Sequence, residues 1–305
     1  MAARTRRKAD ARPGLLKFSG PSEYALENLR NRVIYCQHFE AFNDPFEFWS
    51  KFHDGIPDLE LERGRFIAAI REWGFDEESL ADALENSKEY FESLEDSQPA
   101  FKRITDSIRI ACFGSERDSL LMWSHYADGL RGFCIVYDET LVTSVEPKGY
   151  VTDVAYLDTP PTVDCFVYAI ARDQQDYHLM AIDETRTEIK RRGKKTVPNG
   201  LMQDYQDAAD TALKHMHEMW QHAFAAKPTE WRYEKERRLL VDADGDDRKP
   251  LLRPYPRKAV KEIIVGERMP AGYLTRLTAI ARKQFRGMPI RTARRSSDRY
   301  SLIIE

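Results

Sequence analysis

The sequence predicts an α+β fold, with a mostly antiparallel central sheet and helical insertions. Short apolar runs recur without the strand-helix alternation that builds a parallel α/β sheet. Two long stretches, near 58–98 and 163–226, carry helical rather than alternating periodicity. No repeat of fixed period is present. At 305 residues, 42% hydrophobic and 11% aromatic, the chain is long enough for one large domain with insertions or for two modest ones. Residues 13–305 read as a single domain behind a disordered basic arm of residues 1–12.

In chain order, "GLLKFS" (14–19) reads as a short strand. "PSEYALENLRNR" (21–32) reads as an amphipathic helix with Pro21 near its start, and "VIYC" (33–36) as a second strand. In "AFNDPFEFW" (41–49), Asp44, Pro45 and Glu47 have the order of a helix start. Asp44 would cap, Pro45 would take the first helical position, and Glu47 would complete a capping box. Phe42, Phe46 and Trp49 would clamp that turn to the core. The alternative is an Asn43-Asp44 turn lining a pocket, with the aromatics stacked on a flat ligand ring.

The acidic stretch 58–98, punctuated by Gly64 and Gly74, reads as a helical insertion. "SIRIACFG" (107–114) and "GFCIVYD" (132–138) are apolar on both faces and suit strands covered on both sides. Between them, "DSLLMWSHYADG" reads as a short helix capped by Asp118 or Ser119 and ended by Gly129. "YVTDVAYLD" (150–158) alternates as a half-exposed strand. Residues 163–192 and 201–226 are helical, joined by the basic loop "RRGKKTVPNG". "WRYEKERRLLVD" (231–242), "VKEIIVG" (260–266), "PIRTARR" (289–295) and "YSLII" (300–304) read as strands. A helix, "AGYLTRLTAIARKQF" (271–285), follows Pro270.

The formal net charge of −3 argues against a dedicated nucleic-acid binder, whose domain would be clearly basic. Basic runs at the N-terminus, at 186–195 and at 291–299 read as solvated faces or tails. Cys36, Cys112, Cys134 and Cys165 show no CxxC spacing and read as free thiols, which fits a reducing cytoplasm. No apolar run approaches the ~20 residues of a membrane span. A cytoplasmic protein without a membrane partner is the expectation, and the oligomeric state is left open.

Candidate chemistry gathers in three stretches. The first is the Asn43-Asp44 turn. The second is the helix bearing Trp123, His125 and Tyr126, which feeds directly into a doubly buried strand, a junction that holds side chains rigidly. The third is "KPTEWRYEKERRLLVD" (227–242). Taken as a strand, it places Arg232, Glu234, Glu236 and Arg238 on one face, with the two acids ~6.5–7 Å apart. These form either a row of surface ion pairs or a carboxylate pair that binds ribose hydroxyls and stabilises an oxocarbenium ion. No metal site is assigned: His215 and His222 share a helix face, but Glu218 beside them forms no HExxH. Gly-rich phosphate loops, GxSxG and Walker sequences are lacking.

"FNDPFE", "LMWSHYADGLRGFCIVYD" and "KPTEWRYEKERRLL" followed by "VKEIIVGERMP", in this order, resemble a widespread bacterial family catalogued as domain of unknown function 2971. The resemblance covers most of residues 14–270. Cys36, Gln37 and His38 depart from it, standing where a Phe-Ser-like strand end belongs. The layout is also distantly similar to ADP-ribosyltransferase-like enzymes. That similarity implies Tyr126 or His125 facing nicotinamide or ribose, Glu236 as the catalytic carboxylate and Glu234 orienting the ribose or acceptor.

The leading expectation is therefore an enzyme acting at the ribose of NAD or of a nucleic-acid end, with NAD as substrate. Glu236, Glu234 and His125 would carry the chemistry. Trp123 or Tyr126 would stack on a base, Arg232 and Arg238 would contact phosphates, and Asn43 and Asp44 would line the pocket. One alternative is a nuclease-like protein with Asp44, Glu47, Glu234 and Glu236 around a divalent cation. The other is a non-enzymatic module, for instance in phage defence.

Overall fold

The structure, a computed structural model, describes residues 14–76, 79–193, 199–243 and 248–305. The basic arm and most of the loop between the two long helices lie outside the described residues. The fold is α+β, and the chain forms two compact units. One comprises the segment ending at Glu47 together with Asp106–Tyr156 and Lys227–Glu305; the other comprises Phe48–Thr105 and Leu157–Ala226. Both helical insertions thus fall in the second unit.

The first unit carries a five-stranded sheet in the order Leu15–Ser19, Phe133–Tyr137, Val260–Gly266, Ile290–Arg295, Leu302–Ile304. Every neighbouring pair is antiparallel except Val260–Gly266 with Ile290–Arg295. A second sheet places Arg237–Asp242 between Ile108–Phe113 and Gly149–Asp153, antiparallel to both. Val33–Cys36 pairs with Leu251–Pro254. Single bridges from Leu16 to Gly114 and from Gln37 to Ile110 join these pieces along the Ile108–Phe113 strand.

All five residues of Phe133–Tyr137 are buried. Alternation sends Phe133, Ile135 and Tyr137 to a core shared with Leu239, Val241 and the helices Glu23–Asn31 and Ala271–Gln284. It sends Cys134 and Val136 to a second core with Leu16, Phe18, Met122 and Trp123. Two apolar faces on one strand require covering on both sides, as the sequence predicts. The helix Leu120–His125 begins where Ser119 accepts from the Met122 N–H. The chain then leaves through Asp128, Gly129 and Leu130, all at positive φ (49°, 59° and 69°).

The strand read over 150–158 is two, Gly149–Asp153 and Ala155–Leu157, and two predicted elements beside the buried arginine differ in kind. No helix starts at Asp44. A three-residue 3₁₀ turn, Phe39–Ala41, comes first, and turns follow it. Asp44 Oδ1 accepts from the Phe46 N–H at 2.9 Å, while Glu47 turns away to a buried arginine rather than closing a capping box. Phe46 and Trp49 remain 50% and 58% exposed, so neither is the buried anchor the sequence suggests. Nor is 231–236 a strand. Thr229–Glu234 is a 3₁₀ helix, Lys235 is left-handed (φ 42°), and the strand begins only at Arg237. The reason is electrostatic: both acids of the Glu-Lys-Glu turn to one buried ammonium.

The second unit is built on the helices Arg63–Glu72, Leu80–Ser93, Cys165–Arg191 and Asn199–Phe224, with a short parallel pair, Lys51–His53 and Thr162–Asp164. Asp164 caps the Cys165 helix at the Phe166 N–H (3.0 Å) and is held by the Arg65 Nε at 2.6 Å. Among the described residues, no helix is long and apolar enough to cross a membrane.

The sheet closes tightly where Gly132 and Gly266 pass their neighbours. A Cβ on Gly132 would lie 2.0 Å from Ser19 O, and one on Gly266 2.1 Å from Leu130 O. Because the obstruction is backbone, Gly132→Ala is expected to cost about 1–3 kcal/mol or more, read as a shifted denaturant midpoint.

Candidate functional site

The first unit contains a cavity of about 320 Å³ where Leu15–Ser19, the end of Val33–Cys36 and Ile108–Phe113 meet. Its walls are aromatic and apolar at Phe18, Tyr35, Phe42, Phe113 and Met122, and polar at Lys17, Gln37, Asn43, Tyr126, Lys227, Glu234 and Glu236. That is the usual composition of a ligand pocket.

Behind the polar wall lies a chain of buried charges. Arg238 is 0% exposed. Its Nη1 and Nη2 donate to the two Glu47 oxygens at 2.5 and 2.8 Å, and its Nε donates to Glu236 Oε1 at 2.9 Å. The Lys227 ammonium stands 2.6 Å from Glu236 Oε2 and 2.8 Å from Glu234 Oε2. Tyr126 Oη donates to Glu234 Oε1, and the Glu236 N–H donates to Tyr156 Oη at 2.8 Å. Lys227 also lies over the Trp231 ring, 5.2 Å from its centre.

Local structure explains the convergence. In a regular strand the two acids would project in parallel and be too far apart for one ammonium. The 3₁₀ turn and the left-handed Lys235 swing both onto Lys227. The same turn puts Lys235 outside, paired with Glu116, and leaves Arg232 exposed.

Burial raises the Glu236 carboxyl, but the Arg238 guanidinium and Lys227 ammonium outweigh it and hold the pKa down at about 2. On Glu47, burial exceeds the effect of Arg238 and pushes the pKa up. Burial also lowers Lys227, yet Glu236 and Glu234 leave it above its ordinary range, a firm ammonium. Tyr126 is pushed up by burial and then by its bond to Glu234, so it stays a donor.

Of the residues singled out in the sequence, Asn43, Tyr126, Glu234 and Glu236 share this cavity. Others lie elsewhere. Trp123 is fully buried, edge-on to Phe18 at 5.4 Å with its Nε1–H on Arg117 O, so its ring is engaged in packing. His125 is exposed, its ring 6.0 Å from that of Tyr233. Asp44 is buried as a turn cap. Arg238, wholly enclosed by two carboxylates, has no free face for a phosphate. Among the described residues no three His, Cys, Asp or Glu are grouped to hold a metal ion; Arg238 stands between Glu47 and Glu236, where the nuclease alternative needs a cation. Sequence reasoning missed Lys17, Gln37 and Lys227. A lysine inside the apolar run "LLKFS" is a signal for the first.

The first unit thus combines a mostly antiparallel α+β framework with a ligand-sized cavity backed by a buried cluster of acids and bases. Residues 122–239 match the model of the family described as Protein of unknown function (DUF2971), and this stretch, which holds Tyr126, Lys227, Glu234, Glu236 and Arg238, belongs to it. No curated protein and no solved structure matches the chain.

Arg238→Met would leave Glu47 and Glu236 buried without their guanidinium, and is expected to lower stability by about 3–5 kcal/mol in denaturant titrations. Acid should act through Glu236. Its folded pKa (about 2) lies below the ordinary 4.5, so its stabilisation is complete above 4.5 and is lost as pH falls toward 2. Melting temperatures across that window should fall less steeply in Glu236→Gln than in the wild type.

Proposed function

We propose that this cavity is the active site of an enzyme that cleaves or transfers at the ribose of a nucleotide. The observation that supports it best is the pair Glu234 and Glu236, buried, bridged by Lys227 and facing one cavity with Tyr126. Breaking an N-glycosidic bond develops positive charge on the ribose, and a carboxylate held ionised beside it lowers that barrier. Glu236, with its depressed pKa, meets the requirement.

Glu234 is oriented by Tyr126 and Lys227 and is the group to accept from ribose hydroxyls or to place the acceptor. Three carboxylates (Glu47, Glu234, Glu236) against two cations (Lys227, Arg238) leave the ionised cluster with one net negative charge. Tyr35 and Phe42 offer faces for a planar base. A nucleic-acid-processing reading has less support: Arg291, Arg294 and Arg295 are paired with Glu262, Glu305 and Glu267.

Incubation with NAD or with nicotinamide mononucleotide should release nicotinamide. Glu236→Gln should slow release about a hundredfold or more, while Glu234→Gln should act mainly on KM. Absence of turnover in the wild type, with no nucleotide bound by calorimetry, would reject the reading and leave the charge cluster a structural device.

A further inference from the structure

We infer that Lys17 is the anion subsite of this cavity and that the ligand is a single ribose mononucleotide whose 5′-phosphate sits on the Lys17 ammonium; the inference rests on the ribose reading above. Size is the first ground. About 320 Å³ is at the bottom of the range for ligand pockets, roughly 300–1,000 Å³. Such a space takes one base, one ribose and one phosphate more readily than a dinucleotide.

The second ground is an imbalance among the cations at this cavity. Arg238 and Lys227 are each answered by two carboxylates. Lys17, in the middle of an otherwise apolar strand, lines the same cavity and has no carboxylate partner among the described residues. Its Nζ donates to Cys112 O at 3.0 Å. An ammonium has three donors, so this carbonyl leaves it with two. The Phe113 ring, 5.6 Å away, supports the charge weakly at that distance. A phosphate oxygen satisfies the remaining donors and supplies the missing counter-charge.

The third ground is what else is left open. The side-chain amides of Gln37 and Asn43 line the cavity and have no hydrogen-bond partner among the described residues. Two amides and one ammonium free to bond, beside two oriented carboxylates, match the edge of a base, a phosphate and a ribose diol respectively. Lys17 also offsets the single negative charge of the cluster behind the wall, so a phosphate does not enter a net-negative space.

The test is calorimetry of nicotinamide mononucleotide, nicotinamide riboside and NAD with the full chain, its Lys17→Gln and its Lys17→Arg variants. A charge-assisted contact predicts the mononucleotide binding at least about tenfold tighter than the riboside, and NAD no tighter than the mononucleotide. Lys17→Gln should abolish the advantage of the phosphate and Lys17→Arg should restore most of it. Inorganic phosphate should compete with the mononucleotide but not with the riboside in the wild type, a readout that holds even if Lys17→Gln folds poorly. Equal affinity for riboside and mononucleotide, or an advantage that survives Lys17→Gln, would overturn the Lys17 assignment while leaving the ribose reading intact. Failure of all three to bind would remove both.

Discussion

A guanidinium that no water reaches dictates much of this architecture. Arg238 sits in the middle strand of the second sheet, and enclosure of an uncompensated charge there would cost several kcal/mol. Its two partners come from opposite parts of the chain, Glu47 from the first segment and Glu236 from the turn that leads into the strand. Neither can go where its local sequence directs it. Glu47 abandons a helix start to reach the arginine, and Glu236 abandons an extended conformation to meet both Arg238 and Lys227. The turn at Asp44, the 3₁₀ helix at Thr229–Glu234 and the left-handed Lys235 are all consequences of the same constraint.

Much of the fold was legible from periodicity alone. Doubly apolar "GFCIVYD" became a strand buried on both faces, and the amphipathic runs at 21–32 and 271–285 became helices within one or two residues of their read boundaries. The two misread segments have something in common. In "NDPFE" and "WRYEKE", the local signal for a cap or an alternating strand was sound, but buried ion pairs overruled it, across 191 positions in the first and with Lys227 and Arg238 in the second. Propensity is worth tenths of a kcal/mol per residue, whereas a stranded buried charge is worth several. A local reading cannot weigh the second.

The site was legible in part for a related reason. Glu234, Glu236 and Tyr126 meet at one cavity even though the segment that carries the acids is not extended, because Lys227 gathers what strand geometry would have kept apart. Lys227 is in the quoted "KPTEW", yet nothing in its immediate neighbours marks it as the residue that bridges the two acids. Trp123 illustrates the opposite error: an aromatic beside a His and a Tyr looks like a stacking platform, and instead it fills the core under the five-stranded sheet. Type and spacing identified the neighbourhood, while burial decided which members face the hollow.

The cluster also distributes its protons unequally, and that bears on how such a site would work. Glu47 and Glu236 grip the same guanidinium, but Glu236 has a second cation, Lys227, and Glu47 has no comparable neighbour. Burial therefore wins at Glu47 and loses at Glu236. Burial thus disfavours the charge on the carboxylate behind the cavity wall, while two cations favour it on the one that lines the cavity. A core of Met and Leu in place of these residues would serve the fold about as well. What an apolar core could not supply is a carboxylate kept anionic beside a hollow, with a tyrosine and a lysine fixing the orientation of its neighbour.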